Sequence, residues 1–221
     1  MIIDCISDLH GYLPELTGGD LLIIAGDLTA MDTDKEHFDF MENIGYHQMF
    51  KDKYEKVIYI AGNHDGFLDP KTKRHGRLRT PRHWNVYYLC DSGIKHNGLN
   101  IWGSPWTPTF HSWFFMKNRG DQIKEMWDKI PDDTNILITH GPPFGIQDEV
   151  AGFDKHNNGK FAGCEELSVT IRDRLKNLKL HVFGHIHDGY GRVDANGITY
   201  INASIMDRNY RPVNKPIRVE I

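Results

Sequence analysis

The sequence predicts an α/β fold, and two observations carry that reading. Short apolar runs, Met1 to Ser7, Leu21 to Ala25, Val57 to Ala61, Asn135 to Thr139 and Leu180 to Phe183, read as buried strands, with stretches of helical periodicity between some of them. Each run opens into a polar cluster containing glycine, and open α/β sheets place their ligands just beyond the carboxyl ends of their strands. The 221 residues, 39% of them hydrophobic, suffice for one substantial core. No Pro/Gly/Ser-rich break divides them, so residues 1–221 read as one domain.

In chain order, the first strand ends in Asp8-Leu9-His10-Gly11. Residues two apart on an extended segment point the same way, so Asp8 and His10 converge on one metal ion or form an ordinary surface turn. The second strand delivers Gly26-Asp27, whose carboxylate has two oxygens and can bridge two ions. From Asp34 to Tyr54 the apolar positions Phe38, Met41, Ile44 and Met49 follow helical spacing and predict core packing, with Thr33 or Asp34 as the cap. The strand Val57 to Ala61 opens into Gly62-Asn63-His64-Asp65, which is either a polar turn or a phosphate-handling cluster. In the second case Asn63 offers an uncharged oxygen ligand and His64 can move a proton at neutral pH. A basic segment with Lys71, Lys73, Arg74, Arg77, Arg79 and Arg82 follows, either a solvated surface or the rim of a site.

Asn85 to Cys90 and Leu99 to Trp102 read as two strands forming an antiparallel pair. After Gly103 to Pro108 comes an aromatic segment with Phe110, Trp113, Phe114 and Phe115. Trp106 is either a wall for a nucleobase or a buried ring beneath a loop. Gln122 to Lys129 predicts a short helix ending before Pro131. Asn135 to Thr139 ends in His140-Gly141-Pro142-Pro143, and Phe144 to Ala162 is a polar loop long enough to serve as a lid. Leu167, Ile171, Leu175 and Leu178 mark an amphipathic helix, Leu180 to Phe183 opens into Gly184-His185-Ile186-His187, and strands at Ile198 to Ile201 and Ile217 to Ile221 complete the sheets.

Gathered at one end of a sheet, Asp8, His10, Asp27, Asn63, His140, His185 and His187 supply carboxylate, amide and imidazole without thiolate. That set suits Mn²⁺, Fe or Zn²⁺ and disfavours a cysteine-rich structural zinc site. It exceeds what one ion needs and fits two ions about 3.5–4 Å apart, the spacing that clamps attacking and leaving oxygens in phosphoryl transfer. A net charge of −4 argues against a general nucleic-acid binder, so positive charge for phosphate must be local or metallic. The scattered Cys5, Cys90 and Cys164 lack zinc-knuckle or redox spacing. With no basic leader after Met1 and no sustained apolar segment, the expected location is the cytoplasm, without a membrane partner.

In this order the motifs D-x-H, G-D, G-N-H-D, H-G and G-H-x-H resemble the calcineurin-like metallophosphoesterase superfamily, over nearly the whole chain. The strings Ile101 to Pro108, Ile138 to Pro143, Phe183 to His187 and Tyr200 to Ser204 resemble its metallophosphoesterase-domain-containing branch. The resemblance implies a four-layer α/β/β/α sandwich with two central mixed β-sheets. It also implies a phosphodiesterase for small nucleotide substrates, cyclic nucleotides among them, using in-line attack by a hydroxide shared between two metals. Mn²⁺ is expected first, with Fe, Zn²⁺ or Ni²⁺ as alternatives. It places Asp8, His10 and His187 on one ion and Asn63, His140 and His185 on the second, with Asp27 bridging. His64 then stabilises or protonates the leaving oxygen; from the sequence itself, Asp65 is placed to orient or charge-tune His64, and Asn63, His64 and, if not a buried ring, Trp106 are the candidate substrate contacts.

The segment from Gln147 to Gly163 is longer and more polar than the branch pattern, which bears on substrate choice. Asp27 is followed by Leu28-Thr29-Ala30 rather than the basic residue of the protein Ser/Thr phosphatases, so phosphoprotein hydrolysis ranks low. The competing readings are a metal-dependent nuclease using the basic segment and a catalytically weak nucleotide-binding sensor. No stable nucleic-acid partner is expected, and the sequence leaves the oligomeric state open.

Overall fold

The computed structural model of the chain describes residues 1–46, 53–72, 85–150 and 161–221. In chain order its first strands are β1 (Ile2–Ile6), β2 (Gly19–Ala25), β3 (Tyr54–Ile60) and β4 (Val86–Tyr88), with helix α1 (Asp34–Tyr46) between β2 and β3. Next come β5 (Ser92–His96), β6 (Leu99–Ser104), the short pair β7 (Thr107–Pro108) and β8 (Met116–Lys117), and helix α2 (Asp121–Trp127). The chain continues through β9 (Ile136–Thr139), helix α3 (Glu165–Asp173), β10 (Leu180–Phe183), β11 (Gly191–Ala195), β12 (Ile198–Asn202) and β13 (Ile217–Glu220).

Alternation along these strands builds the layers, because successive side chains point to opposite faces. Ile3 and Cys5 of β1, Leu21 and Ile23 of β2, and Ile58 and Ile60 of β3 share an apolar cluster with Ile136 and Ile138 of β9, Leu180 and Val182 of β10, and Ile201 of β12. This is the inner core, made by two sheets packed face to face. The first sheet runs β13-β1-β2-β3-β4 and the second β11-β12-β10-β9-β6-β5. Both are parallel in their centres and antiparallel at β13, β5 and β11, so they are mixed.

The outward residues carry the helices. On the first sheet Tyr59 meets Phe40 of α1 edge-on at 5.6 Å, and Leu22, Ile24 and Val57 belong to the same apolar cluster. On the second, Leu137, Phe183 and Tyr200 join the cluster that holds Ile123, Met126 and Trp127 of α2 and Leu167 and Ile171 of α3. The result is the α/β/β/α sandwich. Its two sheets are stitched where the site forms: the Ser7 N–H donates to the Ala203 carbonyl at 2.8 Å, and the Ile205 N–H donates to the Ser7 carbonyl at 2.8 Å.

Thr33 and Glu36 cap α1 reciprocally, the Glu36 N–H donating to Thr33 Oγ1 at 3.2 Å and the Thr33 N–H to Glu36 Oε2 at 3.0 Å. Three expectations need correction. Phe38 is 53% exposed, because the phase of α1 is set by His37, Phe40, Met41 and Ile44. Val86–Tyr88 does not pair with Leu99–Ser104 but joins β3 in parallel, and the antiparallel hairpin is formed by β5 and β6 across Asn97-Gly98. Ser92–His96 forms the polar, partly exposed edge strand of the second sheet. Leu175 and Leu178 are buried but lie beyond the end of α3. Finally, β11 was not foreseen. Met49, the basic residues from Lys73 to Arg82 and residues 151–160 of the long loop lie outside the described residues. No helix among the described residues is long and apolar enough to cross a membrane.

Candidate metal centre

Parallel strands that end side by side deliver their exit loops to one place. Asp8 and His10 leave β1, Asp27 leaves β2, and Asn63 and His64 leave β3, while His140 leaves β9 and His185 and His187 leave β10. The structure brings all seven predicted ligand residues together with His64. Ligand atoms of Asp8, His10 and His187 lie within 4.8 Å of one another, as do those of Asp27, His140 and His185 and those of His10, Asp27 and His64. Asp27 Oδ2 stands between the groups, 3.7 Å from His10 Nε2 and 3.3 Å from His140 Nε2. Asn63 Oδ1 lies 3.0 Å from His140 Nε2, and Asp8 Oδ1 lies 3.4 Å from His187 Nε2.

The backbone is bent hard to achieve this. Asp8 (φ 52°), His10 (φ 43°), Asp27 (φ 51°) and His185 (φ 67°) all adopt left-handed conformations. Each costs on the order of 1 kcal/mol for a residue with a Cβ, and such strain gathers at functional sites. Close approach also explains two glycines. A Cβ on Gly62 would overlap Asp27 Oδ1, and one on Gly184 would overlap Asp8 Oδ2.

Backbone carbonyls orient the imidazoles. Ala25 O accepts from His140 Nδ1 at 2.9 Å, Asp207 O from His187 Nδ1 at 2.9 Å, and Ala30 O from His64 Nδ1 at 2.7 Å. Anchoring Nδ1 in this way turns Nε2 toward the centre, as in histidines that ligate metals. Main-chain donors fix the carboxylates: the His185 N–H reaches both oxygens of Asp8 at 3.0 Å, and the His64 N–H reaches Asp27 Oδ1 at 2.8 Å.

The charge pattern is that of a cation site. Burial works against charge at Asp8, yet His187 and His140 outweigh it and hold the carboxyl down at about 2. At Asp27 burial is likewise outweighed, by His140 and His10, and its carboxyl sits far below the ordinary range. Burial disfavours charge on His140 and His187, but Asp27 and Asp8 respectively raise each to about 9. Burial, with His140 beside it, pushes His185 down to about 3, and burial also lowers His10. Both raised imidazoles thus favour their protonated, positively charged form beside the carboxylates.

His10 supplies the clearest sign that a divalent ion fits, since both of its ring nitrogens are buried with no hydrogen-bond partner among the described residues. Orphaned buried polar atoms are costly and rare, and an ion beside Nε2 would satisfy one of them. Loading the metal-free protein at pH 7 with Mn²⁺ is expected to release protons from His140 and His187, and apparent affinity should rise with pH until about 9. Calorimetry in buffers of different ionisation enthalpy reads this directly. Loading without proton release would mean that these imidazoles carry no proton for the ions to displace.

Two predicted roles change. The Asp65 carboxylate does not reach the His64 ring; it accepts the N–H groups of Gly62 at 2.7 Å, Leu28 at 3.0 Å and Thr29 at 3.1 Å, and the Thr29 hydroxyl at 3.1 Å. Burial, and then the charge of Asp27, raise its carboxyl to about 6. Asp65 thus braces the two loops that carry Asp27 and His64. Trp106 is only 6% exposed, its indole N–H donates to Asp91 at 3.0 Å, and its ring packs edge-on against Phe115 at 5.5 Å. It is a core residue and does not line the cavity at the metal centre.

That cavity, about 410 Å³, is walled instead by aromatics that motif reading missed. Trp113, 42% exposed, lies over the His64 ring at 4.2 Å with a 33° tilt, and Phe110 stands 5.1 Å from His185. Tyr210 meets the rings of His10 at 4.9 Å and His187 at 5.1 Å. Trp113 and Phe110 belong to the aromatic segment visible in the sequence. Tyr210 sits in a loop without any motif.

Comparison with known proteins agrees with this geometry. The family described as calcineurin-like phosphoesterase matches residues 1–189. Human metallophosphoesterase domain-containing protein 1 is 37% identical over 238 aligned residues, covering 98% of this chain and 70% of that protein. The UPF0046 protein C25E10.12 of Caenorhabditis elegans is 35% identical, covering 98% and 79%. Among solved structures, the phosphopantetheinyl hydrolase PptH of Mycobacterium tuberculosis is similar in fold, with a TM-score of 0.56 at 15% identity over 98% of this chain and 95% of that one. A match across most of the chain, on a site built for divalent cations, means that the protein belongs to the calcineurin-like phosphoesterases and is a metal-dependent hydrolase of phosphoric esters.

Proposed function

We propose that the protein is a dinuclear phosphodiesterase for small nucleotides, cyclic nucleotides among them, working with Mn²⁺ in preference to Fe, Zn²⁺ or Ni²⁺. Asp8, His10 and His187 would hold one ion, Asn63, His140 and His185 the other, and Asp27 both. The observation that carries this reading is the placement of the Asp27 carboxylate within 3.7 Å of both histidine groups, at the floor of an aromatic-walled cavity. Divalent ions bound there supply positive charge to the phosphoryl oxygens and make water acidic enough to act as the nucleophile near neutral pH.

The protein's own residues then divide the remaining work. Asp27 fixes His64 through the backbone N–H, and Ala30 O holds the Nδ1 proton, which leaves Nε2 to give a proton to the departing oxygen. Trp113 and Phe110 offer flat apolar faces to a nucleobase. A cavity of about 410 Å³ suits a single nucleotide, which favours this reading over the nuclease alternative. The thiols of Cys5, Cys90 and Cys164 are all free, which supports a reducing compartment such as the cytoplasm.

The deciding experiment is turnover of 2′,3′-cyclic and 3′,5′-cyclic nucleotides, an aryl phosphodiester, an aryl phosphomonoester and a single-stranded oligonucleotide, each after chelation and with Mn²⁺ restored. Metal-restored cleavage of cyclic nucleotides is the expected result. Cleavage of the oligonucleotide alone would make the protein a nuclease, and no turnover anywhere would favour a binding sensor. Trp113→Ala is expected to raise KM for the nucleotide about 10-fold, the scale of one base–aromatic stack. An alkyl phosphodiester should be unaffected, and equal effects on both would reduce Trp113 to a cover for His64.

A further inference from the structure

Tyr210 is hard to explain by packing. It is 56% exposed, so burial gives little reason for its ring, yet its backbone is left-handed at φ +57°, which is uncommon for a bulky side chain. Its loop is tied down to hold that conformation. The Asp207 carbonyl accepts the Tyr210 N–H at 2.8 Å and the His187 Nδ1 proton at 2.9 Å, so one oxygen anchors both residues. The Asp207 carboxylate is clasped by the Arg211 guanidinium at 2.6 and 2.8 Å and accepts the N–H groups of Asn209 and Arg211. Thus held, the Tyr210 ring stands edge-on above His10 and His187 and 6.3 Å from His64, lining the cavity with Asp27 and Asn63. Its hydroxyl has no hydrogen-bond partner among the described residues.

From this strained placement above the centre with an uncommitted hydroxyl, we propose that Tyr210 is a substrate-contacting residue whose phenolic O–H donates a hydrogen bond to a non-bridging oxygen of the phosphoryl group. The inference rests on the phosphodiesterase reading for its substrate but needs only a phosphoryl oxygen. A neutral donor suits a position facing Asp8 and Asp27, where it grips an anion without contributing a charge that competes with the ions.

The test compares wild type with Tyr210→Phe, which keeps the ring and removes the hydroxyl, both loaded with Mn²⁺ and assayed first for metal content. Binding of inorganic phosphate by calorimetry is expected to weaken about 10-fold or more in Tyr210→Phe, with the metal content unchanged, since a hydrogen bond to a charged acceptor is lost. In turnover of a diester, kcat/KM should fall by a similar factor. Phosphate binding equal to wild type would overturn the proposal and leave the ring as a wall, and loss of metal in Tyr210→Phe would overturn it in favour of a role in building the centre. Wild type that binds phosphate but cleaves no diester would refute the phosphodiesterase reading alone, because the ratio of phosphate affinities still decides the role of Tyr210.

Discussion

Asp27→Asn is expected to weaken binding of both metal ions together, by about 100-fold or more, and to abolish turnover with them. Changing a partner that merely orients a ligand already costs about 10–100-fold in metal affinity, and Asp27 faces both histidine groups itself. The substitution removes one of two carboxylates among the seven predicted ligands and the charge that holds a proton on His140. Metal analysis after extensive dialysis is the direct readout, and two ions at full occupancy in Asp27→Asn would refute the shared position. A second consequence concerns the metal-free protein. The Asp27 carboxyl sits below its unfolded value, so its contribution to stability is present above the ordinary carboxylate range near pH 4 and is lost as pH falls below it. The stability of the metal-free protein should therefore fall less steeply below about pH 4 in Asp27→Asn than in wild type, which urea midpoints measured across that range would show.

His64→Ala is expected to keep its metals and lose about 10²–10⁴-fold in turnover, the scale of general acid catalysis. The loss depends on the leaving group. A cyclic nucleotide expels a poorly stabilised alkoxide and needs the proton, whereas a nitrophenyl diester expels a stable phenolate and should be affected much less. Equal losses on both substrates would show that His64 serves position rather than proton transfer. The His64 ring lies within reach of His10 and Asp27, so metal content must be measured alongside.

The convergence of these seven side chains was legible because each cluster follows its own strand within a few residues, and parallel neighbours carry such loops to a common edge. Local sequence says less where a role depends on what approaches from elsewhere. Asp65 follows His64 directly, yet adjacent side chains diverge, and its carboxylate turns to the main chain at Leu28 and Thr29. Trp106 reads from the sequence as either a wall for a base or a buried ring, whereas Trp113 stands only among the aromatics of its segment. The choice is made by Asp91, which draws the Trp106 indole inward, and by the Phe114 N–H, which donates to Asn63 O at 3.3 Å and holds the preceding residue, Trp113, over His64. Tyr210 had no local signal, since only the fold brings Asp207 to His187. The partition of β4 and β5 between two sheets was also unreadable, because strand pairing is a long-range property that a turn sequence does not settle.

The contact between Asp8 and the His185 N–H closes a span of 177 residues. A growing chain therefore possesses half of its cation site, from Asp8 to Asn63, long before His140, His185 and His187 are made. The centre assembles only after β10 has joined the second sheet, and loops of that length close late. Binding of metal at full strength is therefore expected to follow pairing of the second sheet rather than to nucleate folding.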